Sequence, residues 1–259
     1  MAPFGTGGEF VGGGSSSGGG TGTLPKPIIL GGPSSSPANI EIPGLNGSPD
    51  IIPGSPSTFS DEFDEDAAGV PTGWTAFNAP DIANTSDALS RVHIEKLATG
   101  NNMAGIFKVP PTAPFTMLVK LDDVYMGQSP NRAGLFLCSG AAPAAAAGTI
   151  IDFGLSQASG TPVYYSNKYT GYQGAGSGTG SLPLDQSVSP EAAPPTYLKV
   201  VVTSATVWQA MWSKNGFLWN VGTVLNPGFV PGCVGLQCNV AGAAGGGRGE
   251  AFFDFVRFS

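Results

Sequence analysis

The chain has 259 residues, room for one large domain or two small ones. Charged residues make up 11%, against about a quarter in a typical globular domain, while Gly numbers 40 and Pro 23, so solubility rests on Ser, Thr, Asn and the backbone. A net charge of −7 with only 11 Lys and Arg leaves no basic cluster to neutralise phosphates, which excludes nucleic acid and disfavours anionic membrane surfaces.

The N-terminus, MAPFGTGGEFVGGGSSS, has neither a basic segment nor an apolar one after it, so it does not read as a secretory signal. No apolar run approaches the roughly 20 residues that span a bilayer. The expectation is a protein made in the cytoplasm without membrane insertion. Residues 1–57 are mostly Gly, Ser and Pro, and alone they cannot bury enough apolar surface to offset their backbone entropy. Three short apolar hooks interrupt them: PIILGG with Ile28, Ile29 and Leu30, IEIPG with Ile40 and Ile42, and DIIPG with Ile51 and Ile52. Proline bars such a piece from a central strand but lets it lie along a sheet edge. Residues 1–57 therefore read as a flexible anchoring arm whose hooks order on a partner.

From residue 58 the texture changes to strand-like runs separated by Gly, Pro, Asn and Ser turns, with no lasting helical period. First comes FSDEFDEDAAGVPTGW, with five carboxylates between Asp61 and Asp66. FTMLVKLDDV (115–124) puts Phe115, Met117, Val119 and Leu121 on one face, and AGLFLC and TIIDF follow. The stretch VYYSNKYTGYQGAGSGTGS (163–181) holds four of the six tyrosines among small polar residues, the composition of a contact loop. In TVWQAMWS, Val207, Gln209 and Met211 oppose Trp208, Ala210 and Trp212, and Asn215-Gly216 then signals a two-residue hairpin turn. CVGLQCNV and EAFFDFVRFS close the chain. About a dozen short strands in some two hundred residues indicate an all-β, two-sheet antiparallel jelly-roll sandwich over 58–259.

Few residues carry chemistry. The one histidine, His93 in RVHIEKL, rules out His-x-x-x-His zinc chemistry and reads as a half-buried strand residue. Cys138, Cys233 and Cys238 lack metal-ligand spacing and read as buried free thiols. No nucleophile elbow or phosphate loop occurs. Asp64-x-Asp66-x-x-Gly69 misplaces the glycine of a calcium loop, so no metal and no cofactor is called for.

The opening F-x-D-x-F with PxGW (Phe59, Asp61, Phe63, Pro71, Gly73, Trp74) resembles the entry strand of concanavalin A-like lectin/glucanase jelly rolls, of the LamG-like kind found in bacteriophage virion appendages. YLKVVVTSATVWQAMWSKNGFLW resembles their aromatic-rich strand pair, and GEAFFDFVRFS their final strand returning beside the first. Glycanases of that fold carry E-[ILV]-D-x-(x)-E on an internal strand, pointing paired carboxylates into a cleft. Glu62-Phe63-Asp64-Glu65-Asp66 departs from this in residue type and in place. The resemblance therefore implies a non-enzymatic protein. The expected function is a virion structural component, anchored to other virion proteins by the arm, oligomeric in the assembly, and displaying a lectin-like sandwich to a host-surface glycan. A carbohydrate-binding module at a cell surface is the alternative, with a glycan hydrolase third. Tyr165, Tyr169, Tyr172 and Trp219 are the residues expected to touch a ligand. The acidic cluster reads as the boundary where arm becomes domain, with Phe59 and Phe63 turned inward and most of its acids in water.

Overall fold

In a computed structural model of the chain, the described residues are 57–64, 69–79, 82–86, 91–97, 102–126, 131–158, 161–173, 180–181, 194–240 and 248–259. The hooks at Ile28, Ile29, Leu30, Ile40, Ile42, Ile51 and Ile52 lie outside them.

Among the described residues, alternating apolar residues and turn-forming breaks produce fourteen strands. They are β1 (Thr75–Phe77), β2 (Ile82–Ser86), β3 (Val92–Leu97), β4 (Asn102–Lys108), β5 (Phe115–Met126), β6 (Asn131–Cys138) and β7 (Thr149–Ala158). The rest are β8 (Thr161–Thr170), β9 (Gly180–Ser181), β10 (Thr196–Ser204), β11 (Val207–Ser213), β12 (Asn220–Leu225), β13 (Cys233–Val240) and β14 (Arg248–Phe258). Sheet A runs β12-β11-β10-β5-β14-β3-β2 and sheet B runs β1-β4-β13-β6-β7-β8-β9. Every pairing is antiparallel. The all-β sandwich expected from the sequence is the fold observed.

The facing sides of the sheets make the main core. Sheet A contributes Phe115, Met117, Val119 and Leu121 of β5, as their alternation predicts, with Val200, Trp208 and Phe253. Sheet B contributes Ile106, Leu135, Phe153 and Leu236. Two shifts of register on β14, around Phe253 and Phe255, change its alternation. Phe253, Val256 and Phe258 thereby enter the core while Arg257 stays half-buried, within reach of Glu62.

The acidic entry is built into this frame. Asp61 pairs with Val256 of β14 through two backbone hydrogen bonds. Its carboxylate accepts from the backbone N–H of Phe63 (2.9 Å) and from Trp74 Nε1 (2.6 Å). These bonds hold Phe63 at φ 50, a left-handed conformation that a phenylalanine adopts only when its surroundings compensate. Complete burial against Trp74, at a ring separation of 5.8 Å, supplies that compensation. Glu62 binds Arg257 through two bonds of 2.7 Å. Asp254 takes Lys120 at 2.6 Å, so Asp61 and Asp254 serve different partners. Phe59 departs from expectation: its ring meets Phe258 at 6.4 Å yet stays 37% exposed.

Three local expectations are corrected. The tyrosine-rich stretch is no loop at its start, because Thr161–Thr170 pairs along its whole length with β7. The turn after β11 is longer than two residues: Ser213 and Asn215 bind the following amides, and the strand resumes only at Asn220. Cys138 and Cys233 are not free thiols. Register places them directly opposite on β6 and β13, with Cα atoms 5.2 Å apart, and they form a disulfide. Cys238 faces the main core as the free thiol of the three.

The disulfide joins residues 95 apart and should contribute about 2–4 kcal/mol by restricting the unfolded chain. Thiol titration of the unreduced, denatured protein is expected to find one reactive cysteine, rising to three after reduction. Cys233→Ser should lower the denaturation midpoint, whereas Cys238→Ser should leave the reductant-sensitive part of stability intact.

Candidate functional site

Among the described residues, the outer face of sheet B gathers a cluster of buried polar side chains. Strand register sets its rows. One row runs Phe77, Gly105, Gln237, Gly134, Gly154, Tyr165, one residue from each of six adjacent strands. The next runs Phe107, Gly235, Phe136, Asp152, Asn167. Gly134 and Gly154 face each other at the centre of the first row. A Cβ at Gly134 would sit 2.2 Å from the Phe153 carbonyl oxygen, and one at Gly154 2.1 Å from that of Ala133. The pair therefore leaves a trough over β6 and β7 that no side chain of those two residues fills.

Across this trough Gln237 and Tyr165 reach each other from strands three apart in the sheet. Gln237 Nε2 donates to Tyr165 Oη at 2.7 Å, and Tyr165 donates to Asp152 Oδ2 at 2.9 Å. Gln237 Nε2 also lies 3.4 Å from that carboxylate oxygen. Arg132 lies lengthwise over the cluster, its guanidinium 5.3 Å from the Tyr165 ring and 5.9 Å from the Tyr169 ring, and it donates to Tyr169 Oη. Gln237, Asp152, Tyr165 and Tyr169 are buried; Arg132 is half-buried and is the member nearest solvent. Among the described residues no donor reaches the buried Gln237 Oε1.

Burial governs the electrostatics. Asp152 is the only carboxylate in the strands of sheet B. Removal from water raises its pKa to about 7, against the lowering pull of Arg132 and the Tyr165 hydrogen bond. The same burial pushes the Tyr165 and Tyr169 phenols well above their ordinary range, with the Asp152 charge adding to the rise. At neutral pH the site holds one guanidinium, two protonated phenols and a carboxyl group poised between its two states. A carboxyl with a pKa near the working pH is suited to proton transfer in either direction.

Among the described residues, two-carboxylate glycoside chemistry is not assembled at this site. It needs partners about 5–9 Å apart on one face of a cleft. On β7 the same-face neighbours of Asp152 are Ile150 and Gly154. Glu62 pairs with Arg257 of sheet A instead.

Of the four residues singled out for ligand contact, Tyr165 and Tyr169 meet in this cluster. Tyr172 packs beside it against Phe77, at 5.7 Å between rings. Trp219 stands apart, after the β11 hairpin loop, with Lys199 Nζ 3.7 Å from its ring centre. Arg132, Asp152 and Gln237 were not foreseen. Each sits in a largely apolar strand, and only register across the adjacent strands β13, β6, β7 and β8 brings them together. His93 sits on β3 as expected, stacked on Phe252 at 4.2 Å and 3.0 Å from Glu250.

No family model and no curated protein matches the chain. Solved structures do match, and they show the fold. An endo-acting O-glycanase of human gut bacteria that initiates mucin breakdown aligns with TM-score 0.54 and 15% identity, over 78% of this chain and 98% of that one. A Saccharomyces cerevisiae protein of unknown function aligns with TM-score 0.50 and 13% identity, over 74% of this chain and 98% of its own. An engineered GH43 glycoside hydrolase with endo-xylanase and exo-arabinofuranosidase activity gives TM-score 0.50 and 13% identity. Its match covers 80% of this chain but only 41% of that one. The stated activities in this set are glycan cleavage, and none is a virion part. The expectation of a non-enzymatic virion component is corrected on that finding: the solved structures that share the fold and state an activity are glycan-cleaving enzymes, and nothing in the composition selects a virion.

Asp152 also makes stability depend on pH. The unfolded carboxyl ionises near 3.8, the folded one near 7, so folding favours the protonated form. Stability should therefore be full below about pH 4 as far as Asp152 is concerned, and fall as pH rises toward 7. Asp152→Asn, which keeps an acceptor for Tyr165 and loses the charge, is expected to remove this component from thermal melts measured across the range. An unchanged slope would sink the assignment.

Proposed function

We propose that the chain is a carbohydrate-active enzyme working at the outer face of sheet B. One observation carries this reading: Gln237, Tyr165, Asp152 and Arg132 converge over a glycine trough, with a carboxyl whose pKa lies at neutral pH. Sugars are recognised by planar polar side chains and aromatic rings together, and both are present. The likeness to the O-glycanase and the GH43 hydrolase supports a glycan as the substrate class by analogy of fold.

Asp152 is the proton-transfer group in this reading. Tyr165 and Gln237 fix its carboxyl, and Arg132 supplies the positive charge that steadies negative charge developing on the substrate. A single carboxyl implies cleavage without a second carboxylate partner on these strands. The Cys138–Cys233 disulfide supports a place of action outside the reducing cytosol, in contrast to the cytoplasmic assembly expected from the sequence.

Incubation with a panel of neutral, amino-sugar and acidic polysaccharides tests the proposal, reading new reducing ends and new unsaturated sugars separately. Turnover of at least one polymer is expected. Asp152→Asn should reduce it by roughly 10²-fold or more, the usual worth of a positioned acid or base. Arg132→Lys, which keeps charge and loses the planar fork, should weaken it less. Absence of turnover on every polymer, or full activity in Asp152→Asn, would remove the site.

A further inference from the structure

The charge on the outer face of sheet B narrows what the site can act on. Among the described residues, the strands of sheet B carry charge at Lys108, Arg132, Asp152 and Lys168. Lys108 pairs with Val234 and Lys168 with Ile151, both members of the inner core, so the two lysines belong to the other side of the sheet. The outer face is left with one guanidinium and one carboxyl. Arg132 is half-buried while Asp152 is fully buried, so a ligand entering the trough meets the positive charge first. Its bond to Tyr169 and its place over the Tyr165 ring hold the guanidinium above the trough. In a chain with 18 acids and 11 bases, such a face favours an anionic ligand. The planar fork of arginine matches a carboxylate in two parallel bonds.

The two oxygens of Asp152 are engaged differently. Oδ2 accepts from Tyr165 Oη at 2.9 Å and lies 3.4 Å from Gln237 Nε2, whereas among the described residues no hydrogen bond reaches the buried Oδ1. A buried oxygen without a donor costs stability, and such exceptions call for a reason. One oxygen is fixed in place and the other is left basic. Among the described residues this face offers no second carboxylate, which paired-carboxylate hydrolysis would need. A uronic acid polymer offers a route that needs only one. Its own carboxylate sits on the carbon that bears the C5 hydrogen and makes that hydrogen acidic. A guanidinium bound to that carboxylate stabilises the enolate-like charge that develops as the proton leaves.

Resting on the glycan reading above, we infer that the substrate is a polymer of uronic acids and that the site cleaves it by β-elimination, with Arg132 on the uronate carboxylate and Asp152 Oδ1 as the base. Asp152 takes the C5 proton, and the electron pair of the C5–H bond becomes the C4=C5 double bond. The C4–O bond breaks with its pair on the leaving oxygen, which takes the proton back from the Asp152 carboxyl. No water is consumed, and nothing is oxidised or reduced. One group acts first as base and then as acid, a double role that suits a carboxyl with a pKa of about 7.

The test gives the full chain polymers of galacturonate, glucuronate and mannuronate, each beside the same polymer with its carboxyls reduced to alcohols. The ultraviolet absorbance of the new conjugated double bond and the number of new reducing ends are read in parallel. Both should rise together on at least one uronate polymer, and neither on its reduced counterpart. On that polymer kcat/KM should climb with pH and reach half its plateau at about 7, because the free enzyme must hold the carboxylate. Arg132→Gln should lower kcat/KM by about 10²-fold or more, with Arg132→Lys recovering part of the loss. The comparison of substrates needs no variant, so it decides the matter even where Arg132→Gln fails to fold. Reducing ends without the absorbance, or equal cleavage of the reduced polymer, overturns the elimination and leaves the glycan reading in place. A rate that falls through the same pH range does so too, since Asp152 would then act as an acid alone. Turnover of no polymer, acidic or neutral, removes both readings.

Discussion

The outer face of sheet B depends on two glycines that face each other across β6 and β7. Any side chain at Gly134 or Gly154 would drive a methyl group into the neighbouring strand's carbonyl oxygen. It would also raise the trough floor on which Gln237 and Tyr165 meet. With both positions bare, two side chains from β13 and β8 span the intervening strands and close a hydrogen-bond chain onto Asp152. Burial of Asp152 follows from that closure, and the displaced pKa follows from burial. The glycines are thus the backbone cause of the electrostatic property on which the proposed chemistry rests.

Period-2 alternation made the architecture legible. The faces of β5 and β11 could be read directly, because a strand with one side in the core cannot shift by one residue without turning every side chain over. The site was legible only in fragments. Tyr165 and Tyr169 stood out because tyrosines cluster, but their glycine-, serine- and asparagine-rich setting disguised a strand as a loop. Pairing with β7 overrode that local composition. Arg132, Asp152 and Gln237 had no sequence signal at all, since their proximity is a matter of cross-strand register between segments up to 105 positions apart. Cys138 and Cys233 escaped for the same reason.

The acidic entry shows how the same residues change meaning with geometry. Five carboxylates in six positions suggest an ion site or a catalytic pair, but Asp61 caps an amide and an indole while Glu62 neutralises Arg257. These bonds fasten the start of the domain to its last strand. Its first two acids are structural fasteners rather than the solvated turn residues expected from the sequence. An average of −7 conceals a 58-residue stretch without a single acid, and charges act over about a Debye length, not over a whole chain.

A two-sheet sandwich uses only its inner faces to make the main core, which leaves two outer faces for other work. Here they have diverged. Sheet B covers its outer face with a second apolar cluster (Phe77, Phe136, Ile150, Tyr169 and the disulfide) surrounding the buried polar network. Sheet A leaves apolar residues in water at its β12 corner, where natural edge strands ordinarily place charge or proline. Bulging within the β11–β12 pairing lets Val221 and Val224 both remain exposed although they are three residues apart. Exposed valines on an uncharged edge are an aggregation hazard unless something covers them. Ser213 and Asn215 fix the loop that carries Phe217 and Leu218 through the side-chain-to-amide bonds that turns ordinarily use. The exposed apolar residues of the β12 corner thus lie on the sheet opposite the one that holds the polar site.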